Sequence, residues 1–202
     1  MKRQQEIDNA LRHLQEADPQ LRTLISRVGA FTLRPNRDRF GMLVRSILSQ
    51  QVSTKAAQSI RLRLEDMLSS ESISPESISG KTIEELRSVG ISGQKASYLH
   101  DLSAHVLDGR LTLNTIGRKS DEEIIEHLTA VKGIGEWTAH MFLIFALGRP
   151  DVFPHGDLGL RSALKILYDL EELPDKTTSL ELAEPWRPYA SVATWYCWRL
   201  HD

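Results

Sequence analysis

A short glycine turn between two helix-like segments carries the most specific chemistry in this sequence. Residues 128–139 follow the pattern Leu-x-x-Val-x-Gly-Ile-Gly-x-x-Thr-Ala, with Gly133 and Gly135 on either side of Ile134. Glycine is used where the backbone takes a positive φ or another group comes close, and Ile134 can anchor the turn in a core. The first N–H groups of the next helix then face solvent at the positive end of its dipole, which suits a phosphate.

An ordinary helical hairpin with a glycine cap would explain a lone Gly-x-Gly equally well. The full pattern, with Leu128 and Val131 before the turn and Thr138 after it, favours a helix–hairpin–helix that binds DNA backbone. Lys132 lies inside the turn and is expected to face the phosphates. The formal net charge of −2 counts against a protein that coats nucleic acid by charge alone, but backbone N–H groups can bind phosphate without side-chain charge.

One aspartate, Asp157, follows a Pro-His-Gly turn and precedes a helix-like stretch that begins at Leu158. A helix N-cap is a common structural role for such an aspartate, and on position alone it is at least as strong an interpretation as a catalytic one. Asp151 is a competing carboxylate, weighted lower because it lies before the turn. Four tryptophans are somewhat rich for 202 residues; core packing is their ordinary explanation and is preferred for Trp186 and Trp198.

Helical spacing of apolar residues runs through nearly the whole sequence, and no stretch alternates as a strand would. An all-α fold is therefore predicted. After two helices that end before Gly29, further helices are expected over residues 40–50, 53–68, 82–89, 94–107, 120–130, 136–147, 157–168 and about 188–200. Residues 69–79 are predicted as a serine-rich loop with a short helical turn, and Pro174 is expected to break the chain again.

The composition narrows the class of protein. A length of 202 residues fits one large domain or two small ones packed together. The single cysteine, Cys197, excludes an internal disulfide and any four-cysteine iron–sulfur or zinc site. No apolar run is long enough for a signal peptide or a membrane span. We expect a reducing compartment, the cytoplasm or nucleoid of a bacterium or the nucleus of a eukaryote, and no membrane partner.

Taken together, these stretches resemble the helix–hairpin–helix (HhH-GPD) superfamily of DNA glycosylases, and within it the DNA-3-methyladenine glycosylase II (alkylbase glycosylase) family. The similarity covers about residues 39–200 and is carried by residues 47–57, 128–139, 148–159 and 186–196. It implies a two-lobed all-α fold with an active-site cleft between the lobes. Residues 39–149 would form a central helical-barrel lobe that ends in the hairpin, and residues 1–38 and 150–202 the second lobe.

The resemblance also implies an activity. It predicts a monofunctional glycosylase that flips an alkylated purine out of double-stranded DNA and hydrolyses its N-glycosidic bond, which initiates base excision repair. The expected substrates are 3-methyladenine and 7-methylguanine, with ethenoadenine or hypoxanthine as further candidates. Asp157 matches the family's essential aspartate, whose charge would stabilise an oxocarbenium-like transition state. Bifunctional members carry lysine two residues after Gly135, where this chain has Trp137; no AP-lyase activity is therefore expected.

Further site residues are implied by the same resemblance. A pocket for an electron-poor base would be lined by Trp137, Trp195, Tyr189 and Met141. Gln51 matches the family's intercalating position, although Gln50 and Gln51 could also be ordinary polar residues at a helix junction. The expected DNA contacts are Gln51, Ser53, Lys132, Gly133, Ile134, Gly135 and Thr138. Backbone carbonyls of Thr129, Val131 and Ile134 would hold a monovalent cation, Na⁺ or K⁺. No other cofactor is expected, no iron–sulfur cluster can form, and the protein is expected to be a monomer.

Two alternative functions remain at the level of sequence. The hairpin alone equally supports a non-catalytic module that senses distorted DNA, although such a module would need neither Asp157 nor pocket tryptophans. A glycosylase for an oxidised, deaminated or mismatched base is the other alternative. Trp137 argues against the lysine-using branch that acts on oxidised guanine, but it does not exclude hypoxanthine or ethenoadenine.

Overall fold

The fold is built from helices joined by short connections. The computed structural model describes residues 2–68 and 72–201. Across these residues it contains α-helices, 3-10 turns and one π-helical turn, and no strand, which confirms the all-α class. No helix in the described ranges is long and apolar enough to cross a membrane.

The α-helices of the described residues, numbered in chain order, are α1 (Lys2–Ala17), α2 (Pro19–Val28), α3 (Arg39–Ser49), α4 (Thr54–Met67), α5 (Pro75–Ser79), α6 (Ile83–Ser88), α7 (Gly93–Leu107), α8 (Asp121–Thr129), α9 (Glu136–Phe142), α10 (Leu158–Leu167), α11 (Lys176–Ala183) and α12 (Ala190–Trp198). The short turn expected between residues 69 and 79 is α5, while residues 69–71 of that predicted loop lie outside the described residues.

Three local predictions differ from the structure. The helix expected over 136–147 is α9 followed by a π-helical turn at Leu143–Leu147, because an all-apolar stretch gives no periodicity from which a change of helical pitch could be read. The segment after Pro174 contains α11, whose N-cap is Asp175. Finally, α12 begins at Ala190 rather than near 188, since Arg187-Pro188 belongs to the connection that precedes it.

The described chain divides into two compact units, which we call the central unit (residues 36–142) and the terminal unit (residues 2–35 and 143–201). The sequence-based boundaries lay near 38 and 149. In the central unit, α7 packs against α3, α5 and α6, and α9 packs against α3 and α8. This packing places the hairpin between α8 and α9 beside the end of α3.

The terminal unit brings distant parts of the sequence into one core. Helices α1, α2, α10 and α12 pack together around buried residues that include Leu14, Leu21, Leu160, Trp186, Trp195 and Tyr196. Burial of one such apolar side chain stabilises the fold by roughly 1.5–3 kcal/mol. The predicted core role of Trp186 is confirmed, since its side chain is 0% exposed.

A buried carboxylate, Asp18, ties this core together. It caps α2 by accepting hydrogen bonds from the N–H groups of Gln20 and Leu21, as the Asp-Pro pair predicts. Its other oxygen accepts from the Trp186 indole N–H at 2.8 Å and from the Tyr168 hydroxyl. A charge with this little exposure is tolerated because four donors satisfy it, so one residue links α2 to two segments near the end of the chain.

Candidate nucleic-acid interface and active site

The glycine turn has the predicted backbone form. Helix α8 ends at Thr129, and α9 begins at Glu136. Gly133 adopts a φ of +80°, and the Ile134 N–H donates to the Val131 carbonyl at 3.1 Å. The Ile134 side chain is only 4% exposed, which confirms that it anchors the turn.

Three side chains from other elements hold the turn in place. The Lys132 N–H donates to Oδ2 of Asp101 in α7 at 2.8 Å. The Gln50 side chain, after α3, donates to the Gly133 carbonyl at 2.7 Å. The ring of Tyr98, also in α7, lies so close that a Cβ on Gly133 would stand 2.1 Å from its Cδ2 atom. Sequence reasoning missed Tyr98 and Asp101 because a residue thirty positions away leaves no mark on the turn motif.

The turn presents backbone donors rather than side chains. Within residues 2–68 and 72–201, neither the Gly133 N–H nor the Gly135 N–H donates a hydrogen bond to a protein group. Gly135 and Lys132 are exposed. Thr138, expected among the DNA contacts, is only 5% exposed. The donors available to an anion are therefore the N–H groups of Gly133 and Gly135 together with the Lys132 ammonium.

The predicted intercalating loop lies between α3 and α4. Gln51 is exposed and adopts a φ of +55°, a left-handed conformation that is unusual for a residue with a side chain. Ser53 caps α4 by accepting from the Ala56 N–H, which gives it a structural role beside its predicted DNA contact. Lys95 fixes the start of the loop by donating from Nζ to the Leu48 carbonyl at 2.8 Å, and its partial burial lowers its pKa.

Trp137 and Met141, one helical turn apart on α9, differ in exposure. The Trp137 side chain is 48% exposed, which is unusual for so large an apolar surface, and Met141 is 7% exposed. Two more exposed large apolar side chains lie next to predicted site residues: Val52 follows Gln51, and Leu158 follows Asp157. Sequence reasoning did not single out Val52 or Leu158.

Asp157 is both a helix cap and an oriented carboxylate. It is 9% exposed, and its Oδ1 atom accepts from the Leu160 N–H at 2.7 Å as the N-cap of α10. The same oxygen accepts from the indole N–H of Trp198 at 2.9 Å. Capping accounts for the first bond, but the second comes from a side chain at the end of α12, 41 residues later. The cap interpretation is thus correct without being sufficient.

Trp195 and Trp198 take positions different from those expected. Trp195, predicted in the base pocket, is 4% exposed in the terminal unit's core. There its ring packs against Phe31 and Tyr196 and lies 4.8 Å from the Arg199 guanidinium. Trp198, predicted as core, is partly exposed and contacts Asp157. A helix of only nine residues, all but one buried, carries no periodicity that could distinguish the two.

Tyr189 and Asp151 have partners of their own in the terminal unit. Tyr189 lines a cavity of about 540 Å³ that also includes Phe31 and Pro150, and Asp157 is not among the described residues that line it. Asp151 accepts from Arg187 at 2.8 Å and from the Ala190 N–H at 3.2 Å. These contacts give Asp151 a structural role at the start of α12, while the place of Tyr189 in a base pocket stays a prediction.

No cluster of three or more histidine, cysteine, aspartate or glutamate side chains suited to a metal occurs in residues 2–68 and 72–201. The thiol of Cys197 is buried, and burial raises its pKa. A protonated, inaccessible thiol is a poor nucleophile and metal ligand.

Comparisons with known proteins agree with this geometry. The family model for the "HhH-GPD superfamily base excision DNA repair protein" matches residues 44–188, from α3 through the hairpin and Asp157. This chain belongs to the HhH-GPD superfamily. DNA-3-methyladenine glycosylase 1 of Schizosaccharomyces pombe is 35% identical over 194 residues, which cover 93% of this chain and 84% of that protein.

Two solved structures extend the similarity to three dimensions. The crystal structure of a DNA-3-methyladenine glycosidase from Bacillus halodurans is 37% identical, with a TM-score of 0.85 over 94% of this chain and 88% of that one. The S. pombe 3-methyladenine DNA glycosylase Mag1 in complex with abasic DNA is 35% identical, with a TM-score of 0.81 over 95% of each chain. Within its superfamily, the chain therefore belongs to the DNA-3-methyladenine glycosylase family.

Proposed function

We propose that this protein is a monofunctional DNA glycosylase that removes alkylated purines from double-stranded DNA and so initiates base excision repair. The observation that carries the proposal is Asp157, a carboxylate with 9% exposure whose Oδ1 atom is fixed by two N–H donors. Relatives named as DNA-3-methyladenine glycosylases support the choice of substrate.

The proposed chemistry uses the fixed charge of Asp157. When the N-glycosidic bond breaks, positive charge develops on the sugar, and a preorganised anion beside it stabilises the transition state. Water adds to the anomeric carbon and releases one proton to solvent, and an alkylated base that carries a positive charge leaves as the neutral base. Trp137 occupies the position of the lysine in bifunctional members, so we propose hydrolysis without a Schiff base and without strand cleavage.

The hairpin would hold the DNA backbone through the N–H groups of Gly133 and Gly135, assisted by Lys132. The monovalent cation that the family resemblance implies fits the donor set. Among described residues, the carbonyls of Thr129 and Ile134 accept no hydrogen bond, while that of Val131 accepts only from Ile134. Neutral carbonyl oxygens suit Na⁺ or K⁺, and a bound cation would add positive charge close to a phosphate.

Two exposed side chains have proposed roles in handling the flipped base. The face of Trp137 would attract a cationic alkylated base by about 0.5–2 kcal/mol, depending on desolvation. Gln51, exposed on a loop that Lys95 and Gln50 brace, would fill the gap in the duplex and offset part of the unstacking energy. Met141 lies one helical turn after Trp137 on α9, and we propose that it completes the wall of the base pocket.

The test is a product analysis on alkylated DNA. Purified protein is incubated with methylated duplex DNA, released bases are separated by chromatography, and the DNA is examined for strand breaks. We expect 3-methyladenine and 7-methylguanine in solution and an intact strand that breaks only after alkali. Tight binding to abasic DNA without base release would favour a non-catalytic damage sensor, and strand cleavage before alkali would contradict the monofunctional assignment.

A further inference from the structure

The indole of Trp198 and the carboxylate of Asp157 form an unusual pair within the terminal unit. Nε1 of Trp198 donates to Oδ1 of Asp157 at 2.9 Å, and the Leu160 N–H donates to the same atom at 2.7 Å. An N-cap needs only the second of these bonds. The cap of α10 therefore does not by itself require the indole bond.

The indole is itself held in a fixed orientation. The ring of Phe145, in the π-helical turn, stacks on Trp198 with centroids 5.5 Å apart and an interplanar angle of 16°. Stacking on a second ring restricts rotation of the indole about its side-chain bonds. The N–H is thus aimed by packing rather than left to sample several directions.

A glycine leaves room for the indole edge. A Cβ on Gly159 would stand 3.3 Å from Oδ1 of Asp157 and 3.6 Å from Cδ1 of Trp198. The first distance is tighter than an ordinary van der Waals contact, so a side chain there would push either the carboxylate or the ring. Residues 157–160 and Trp198 thus surround the Oδ1 atom of Asp157, and Phe145 supports the Trp198 ring.

We propose that Trp198 is a positioning residue that fixes the rotation of the Asp157 carboxylate for glycosidic bond cleavage. This role rests on the proposed function of Asp157. The cap amide and the indole N–H come from different elements and converge on Oδ1, and together they restrict rotation of the carboxylate about its Cβ–Cγ bond and define its plane. The direction of Oδ2 follows from that plane, and a misplacement of about 1 Å at a reacting group lowers rates by about 100-fold.

A crossed pair of substitutions separates the hydrogen bond from packing. Trp198→Phe keeps a six-membered ring to stack on Phe145 but removes the donor. Trp198→His loses the larger ring but keeps an N–H at the equivalent atom of its five-membered ring. If the hydrogen bond positions Asp157, the phenylalanine variant has the lower excision rate; if only packing matters, the histidine variant has the lower rate.

The measurement is single-turnover base release with enzyme in excess, alongside the dissociation constant for abasic DNA and the urea midpoint of each variant. We expect Trp198→Phe to lower the single-turnover rate by roughly 10-fold or more, with DNA affinity within about twofold of wild type. Trp198→His should retain several times the rate of Trp198→Phe. A phenylalanine variant with wild-type rate, or variants ranked by stability alone, would overturn the positioning role.

An isosteric variant guards against misfolding. Replacement of Trp198 by benzothienylalanine exchanges the N–H for sulfur in a ring of the same shape, and the same loss of rate is expected. In wild-type protein, the Trp198 indole N–H resonance should move on Asp157→Ala substitution, which tests the contact without any activity. No base release by wild type would refute the proposed function and the positioning role with it, whereas an active wild type with an equally active sulfur variant would refute the positioning role alone.

Discussion

The hairpin of the central unit and the Asp157 site of the terminal unit are built in opposite ways. In the hairpin, side chains of Gln50, Tyr98 and Asp101 hold a backbone, and we propose that this backbone binds DNA. At Asp157, a backbone amide and the Trp198 indole hold a side chain, and we propose that this side chain acts in catalysis. The two sites should therefore respond differently to substitution, because a backbone site depends on the conformation of the chain and a side-chain site depends on individual atoms.

The largest effect is expected for Asp157→Asn. Asparagine is as good an N-cap as aspartate, so α10 should remain folded, while loss of the charge should lower the single-turnover rate by about 10²–10³-fold. Binding to abasic DNA should persist. Asp151→Asn is the matched control, since Asp151 is engaged by Arg187 and Ala190; its rate should stay within a few-fold of wild type. Full activity of the Asp157 variant would end its catalytic assignment.

Gly133→Ala should be the most damaging single change in the hairpin. The positive φ and the Tyr98 ring at 2.1 Å both oppose a Cβ, and we expect a loss of about 2–4 kcal/mol in stability together with weaker DNA binding. Gly135→Ala is the matched control for stability, because nothing lies within 4 Å of its Cβ position. Urea unfolding and abasic-DNA affinity measure both. Equal effects at the two glycines would contradict a conformational requirement at Gly133.

Alkaline pH should destabilise the terminal unit. Burial raises the pKa of Cys197 and of Tyr168, and it raises the pKa of Tyr196 to about 12. These groups stay protonated in the folded protein while their unfolded counterparts ionise near pH 9–10, so the stabilisation is complete below that range and declines from about pH 9 to 12. Each group removes about 1.4 kcal/mol per pH unit. Urea midpoints between pH 8 and 11 measure the decline, and Tyr168→Phe should make it shallower.

The smallest effect is expected for Gly159→Ala, where stability and the excision rate should change in opposite directions. Gly159 is the second residue of α10, where alanine is favoured over glycine by less than the roughly 1 kcal/mol of a helix interior, so Gly159→Ala should leave stability unchanged or slightly higher. Its Cβ would press on the Asp157 oxygen, so the excision rate should fall several-fold. Parallel single-turnover and unfolding measurements test this opposition. If the excision rate of Gly159→Ala rose together with its stability, the added Cβ would not displace the Asp157 carboxylate.

The two sites also differ in how much of them the sequence predicts. The hairpin could be recognised because its requirements are local: glycines at two positions, an apolar anchor and a following helix. Asp157 could be recognised from its place after the hairpin, but Trp198 could not, because the contact spans 41 residues and depends on how α10 and α12 pack. The braces Tyr98 and Asp101 were missed for the same reason.

Misplaced predictions have a related physical origin. Trp195 and Trp198 are three residues apart on a short, nearly all-buried helix. Which of the two side chains enters the core therefore depends on tertiary packing, and the sequence pattern does not distinguish them. Helix α11 was missed because Pro174 indicates a break without indicating the type of the next element, and Asp175 caps a new helix at once. The all-α class, by contrast, is predicted by a periodicity repeated along the whole chain.

The terminal unit is made from the two ends of the described sequence, and this has a consequence for folding. Trp186 reaches Asp18 across 168 positions, and Tyr196 donates to the Gly29 carbonyl across 167. During synthesis, α1 and α2 leave the ribosome long before these partners exist, whereas every contact within residues 36–142 is available earlier. The central unit, about a hundred residues between the two parts of the terminal unit, can therefore fold first. Once it is folded, a shorter flexible stretch of chain separates α2 from α12, which lowers the entropic cost of bringing them together. The carboxylate site thus depends on a segment that is translated after the whole central unit.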